Sequence, residues 1–95
     1  MNDLDLDRRL RVLRRTVLML QTELRQGHMD DALVADVDQQ LEHGIGTEPR
    51  CTHLPHLVDA VRENAMGMGP ERFADTIRSC EKLKDAIEGV MSVLR

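Results

Sequence analysis

All four histidines and one of the two cysteines of this chain fall between residues 28 and 56. The tightest group is Cys51-x-His53-x-x-His56, with His43 upstream and His28 before it. Thiolate and imidazole are the ligands that zinc, copper and nickel prefer, and a closed tetrahedral site needs three or four of them. The strong zinc signatures join two close ligand pairs, and here a second close pair is absent. The competing reading is a polar loop whose histidines cap helices or face water. No metal and no other cofactor is expected, with Cys51, His53 and His56 as the alternative ligand set. Small helical copper- and nickel-responsive repressors share this length and an Arg-rich first helix. Asp30, Asp31 and Ala32 stand where their early ligands would fall, so no membership follows.

The second constellation is Arg8, Arg9, Arg11, Arg14 and Arg15. At helical spacing Arg8, Arg11 and Arg15 share one face and Arg14 lies beside them. Such a face attracts a phosphate backbone or an acidic protein surface. A nucleic-acid reader would bring a helix-turn-helix spacing, an aromatic stacking platform or a second basic element. None is recognisable, and Phe73 is the only aromatic residue. Nucleic acid is therefore an unfavoured partner.

Charge along the chain is segregated. Residues 1–27 hold six arginines against four acids, whereas residues 28–48 hold six acids and no Lys or Arg, within a net charge of −4. There is no nucleophile elbow and no phosphate-cradling glycine loop, and Gly44-Ile-Gly46 is too short to be one. The carboxylates Asp30, Asp31, Asp36 and Asp38 fit the wet face of an amphipathic helix better than a catalytic pair. No enzyme is expected. Met1-Asn2-Asp3-Leu4-Asp5 has neither a basic nor an apolar leader character, and no run approaches the ~18 apolar residues that span a bilayer. Two cysteines make no disulfide framework. A cytoplasmic protein with reduced thiols and no membrane contact is expected.

With 41% apolar residues the chain is too hydrophobic to remain disordered. Leu6, Leu10, Leu13, Val17, Leu20 and Leu24 recur at alternating spacings of four and three, a heptad seam that Val12, Leu18 and Met19 would widen. The periodicity predicts helices over about 5–26, 30–43, 55–66 and 70–94. Gly27 is placed just past the first helix, Asp30 or Asp31 caps the second, and Pro55 lies in the first turn of the third. Gly44–Leu54 is the one long loop, and no stretch alternates as a strand would. The fold class is all-α: a small four-helix antiparallel bundle, one domain over 1–95.

The two long seams exceed what two helices of about 12 residues could cover. Homodimerisation through the first or fourth helix is the economical way to bury the surplus. The expected function is a regulatory protein–protein interaction module of the anti-activator, adaptor or chaperone-like kind. Its expected partner-binding residues are Arg8, Arg11, Arg15, Val17 and Leu20. The alternative is a metal- or nucleic-acid-responsive regulator using the Cys51/His53/His56 loop or the Arg8–Arg15 face.

Overall fold

The computed structural model describes residues 1–67 and 70–94; Met68, Gly69 and Arg95 lie outside the described residues. Four α-helices account for most of it: α1 Asp3–Arg25, α2 Asp31–Gln40, α3 Leu54–Ala65 and α4 Pro70–Val93. No strand occurs among the described residues. Helix α1 begins two residues earlier than its charge pattern suggests, because the Asn2 side chain accepts the Asp5 amide at 2.8 Å and caps it. It stops at Gly27, whose φ of +81° lets the His28 amide return to the Glu23 carbonyl and the Gly27 amide to the Leu24 carbonyl. Asp30 then caps α2, accepting from the Ala32 and Leu33 amides at 3.0 and 3.2 Å.

The chain runs up and down. Gln40 donates to Thr16 at 2.8 Å across α1 and α2, and Arg14 reaches Glu88 at 2.9 Å across α1 and α4. Further along the α1–α4 contact Gln21 donates to Glu81 at 2.9 Å, while Asn64 donates to Ser79 at 2.6 Å between α3 and α4. Arg62 closes the ring by bridging Asp38 of α2 at 3.1 Å. Each of the four helix–helix contacts thus carries a polar tie that fixes its register, around a bundle measuring 41 × 19 × 19 Å.

The core corrects the expected surplus of apolar surface. Leu6, Leu10, Leu13, Val17 and Leu20 are all 0% exposed within the single chain. They pack against Leu83, Ile87 and Cys80 of α4, Val58 and Val61 of α3, and Val37 of α2. Each buried Leu or Val contributes roughly 1.5–3 kcal/mol, far more than an exposed ion pair at roughly 0–1 kcal/mol, so this seam dominates the fold. Two features supply the cover that the helix count alone lacked. Helix α4 lies along α1, and the loop after α2 folds inward.

That loop is a packed segment. Leu41–Ile45 forms a wide turn in which the Gly46 amide bonds the Leu41 carbonyl at 2.7 Å. Gly44 adopts φ +108°, and Ile45 turns into the core at 1% exposure. A short 3-10 turn, Pro49–Cys51, follows and carries Cys51 fully inside. Arg50 pins the turn to the start of α1, reaching Glu48 at 2.9 Å and Asp3 at 2.6 Å.

Candidate protein-binding face

A helix whose core stripe is Leu6–Leu24 must turn the opposite stripe outward. On α1 that stripe is Leu4, Arg8, Arg11, Val12, Arg15 and Met19, all exposed. Leu4, Val12 and Met19 are 60%, 43% and 50% exposed, and they alternate along the helix with the arginines. Val12 and Met19 were expected to widen the buried seam. Successive residues turn by about 100°, which places both on the far side of the helix from Val17.

The arginines of α1 divide into two sets. Arg14 is taken up by Glu88, and Arg9 donates to the His43 carbonyl in the wide turn after α2. Arg11 pairs with Asp7 one turn back at 2.8 Å but stays 62% exposed. Arg8 and Arg15 make no ion pair among the described residues. Beside them α2 turns Ala32, Ala35 and Gln39 outward, with Asp36 half-buried at its α1 edge; Asp31 is exposed on the stripe of Asp38, toward α3, and Glu42 in the turn after α2. Asp31, Asp36 and Glu42 likewise form no ion pair among the described residues.

A crease runs between the two helices. One hollow of about 360 Å³ is lined by Arg8, Val12, Asp36, Gln40 and His43, among others. A second, of about 340 Å³, is lined by Arg15, Met19, Thr22, Asp30 and Leu33, among others. The face is therefore an apolar floor with a cationic rim on α1 and the carboxylates of Asp30 and Asp36 on the α2 side. Both hollows are open and shallow, which suits a side-chain-bearing surface.

The other expected site residues are dispersed. Val17 and Leu20 lie wholly inside the bundle and offer no surface, which corrects their assignment to partner binding. The alternative metal set also separates: Cys51 is fully buried whereas His53 and His56 are exposed. The 3-10 turn aims the thiol at the core and leaves both imidazoles outside. No group of three or more His, Cys, Asp or Glu side chains is placed to share a metal ion among the described residues. Burial raises the thiol pKa of Cys51, and at Cys80 it pushes the value up to about 12. Both thiols therefore stay protonated and weakly nucleophilic. His28 pairs with Glu23 at 2.8 Å, and that hydrogen bond raises the imidazole pKa.

No protein-family model, no curated protein and no solved structure matches this chain. Among the described residues no helix is long and apolar enough to cross a membrane.

Proposed function

We propose that the protein is a regulatory binding module whose outer α1 face, with the adjoining α1–α2 crease, docks onto another protein. The observation that carries this reading is Arg8 and Arg15 standing without ion-pair partners between the exposed apolar side chains Leu4, Val12 and Met19. Unneutralised guanidinium groups over an apolar floor supply the two elements of helix docking. Apolar contact gives affinity, and charge gives orientation and association rate. Arginine in particular is enriched where interfaces concentrate their binding energy.

The acidic surface of α2 favours a protein over a nucleic acid as the occupant. A phosphate backbone attracted to Arg8 and Arg15 would pass beside Asp30 and Asp36, which would repel it. A protein surface carries both signs and can match both rims. The dimer expected from the heptad seam loses its original motive, because that seam is covered within one chain. Any self-association must use an outer face instead.

The test is quantitative capture of partners by the immobilised wild-type chain and by an Arg8→Glu/Arg15→Glu variant, from a lysate of the source organism. The expected result is one or a few proteins retained by the wild type and lost by the variant, with equal melting temperatures for the two baits. Identical retention by both would contradict the reading.

A further inference from the structure

We propose that a second copy of this chain occupies the α1–α2 face, related by a two-fold axis along the crease so that α1 of each copy lies on α2 of the other. This rests on the reading of that face as a docking surface and names its occupant. Charge is the first sign of a second copy. Arg8 and Arg15 stand on one rim, and Asp30 and Asp36 on the other, without ion-pair partners among the described residues. A surface carrying both the pattern and its complement, side by side on parallel ridges, is matched by its own rotated copy.

The direction of the axis follows from the same residues. Rotation about the crease exchanges the two rims and preserves height along them. Arg8 and Asp36 line one hollow, so Arg8 of one copy comes over Asp36 of the other. Arg15 and Asp30 line the second hollow, which brings Arg15 over Asp30 at the start of the facing α2. Rotation about the perpendicular in-plane axis would instead lay arginines on arginines and carboxylates on carboxylates.

Shape agrees with charge. The outward ridge of α2 is low, with Ala32 and Ala35 exposed, whereas that of α1 is built from long side chains, Arg8, Arg15 and Met19. Long side chains on one ridge seat over short ones on the facing ridge, twice in each dimer. The contact is about 20 Å by 20 Å for two helices side by side, about 800 Å² over both copies, the size of a weak, transient interface. Association should therefore be micromolar and salt-sensitive.

Sedimentation equilibrium across the micromolar range tests this with two charge-reversed variants, Arg8→Glu and Asp36→Arg. The wild type should dimerise, and each variant alone should associate at least ~tenfold more weakly, because like charges then face each other. An equimolar mixture of the two variants should form a heterodimer, since both contacts become complementary again. Lys82→Glu, on the exposed side of α4, should leave the wild-type dimer intact. Asp36 lies within α2, so a variant that melts early is replaced by Asp36→Asn, which should also weaken the dimer. A wild type that stays monomeric, or a dimer indifferent to these reversals, would overturn the proposal. A monomer that still captures another protein in an Arg8- and Arg15-dependent way would remove the second copy as occupant and leave the docking face standing. A monomer with no such capture would remove both.

Discussion

Arg50 and Asp3, 47 positions apart in sequence, meet at 2.6 Å and tie the 3-10 turn to the first turn of α1. The same guanidinium holds Glu48, and that hydrogen bond keeps the Glu48 carboxyl below its usual pKa of 4.5. A carboxylate with a depressed folded pKa contributes stability above its unfolded value and loses it as pH falls through the folded one. Glu48→Gln should therefore lower the melting temperature by a few degrees at neutral pH and by less in acid. His28 has the opposite sign. Its pKa is raised above 6.5 by Glu23, so its contribution is complete below that value and is lost as pH rises through the raised one. His28→Gln should flatten the small decline in stability from mildly acidic to mildly alkaline pH. Thermal melts across pH check both.

Leu13 and Leu83 are 0% exposed, so truncating either to Ala should cost about 2–5 kcal/mol. Val17→Asp should unfold the chain outright, because the carboxylate would enter the dry core of a single subunit. Arg8→Glu and Arg15→Glu should each change stability by only about ±0.5 kcal/mol. Denaturant titration followed by circular dichroism separates the three outcomes.

The two thiols should behave as packed, inert groups. Cys51 is fully buried, so Cys51→Ser should cost about 1–3 kcal/mol by placing a hydroxyl without an assured partner in the core. Both thiols should react with a disulfide reagent only as fast as the protein opens. Prompt labelling of Cys51 in the native protein would contradict its placement.

Glycine positions give a contrast of sign. Gly89 is helical and exposed, with nothing within 4 Å of an added Cβ, so Gly89→Ala should stabilise by about 0.5–1 kcal/mol. Gly44 has φ +108°, and an added Cβ would come within 2.9 Å of Met1 Cε, so Gly44→Ala should destabilise by more than about 1 kcal/mol. Melting temperatures of the two variants should move in opposite directions.

The helical fold was legible because period and punctuation agree. The Leu6–Leu24 seam, the Gly27 terminus and the Asp30 cap are local signals, read within a few residues. Three features were not legible, each for a physical reason. The start of α1 depends on one hydrogen bond that Asn2 accepts from the Asp5 amide, and in sequence Asn2 competes as a cap with the equally suited aspartates after it. The inward turn of Cys51 depends on Arg50 finding Asp3, a contact that no local pattern encodes. The expected surplus of apolar surface is absent because the two long seams cover each other and the loop after α2 folds inward, pairings that a count of helix lengths does not contain. Val12 and Met19 also stand outside the seam they were expected to widen. Their angle about the helix places them outside, and that same angle marks the candidate face. Arg8, Arg11 and Arg15 were legible as a shared face, whereas the acidic rim became its neighbour only through the α1–α2 hairpin.

The central claim is that the α1 outer face binds protein while the core merely supports it. The most direct measurement compares retention of partners on immobilised wild-type chain and on Arg8→Glu/Arg15→Glu, alongside melting temperatures of both. The account predicts equal melting temperatures and loss of the retained protein by the variant. Equal retention by both baits at equal stability would contradict it.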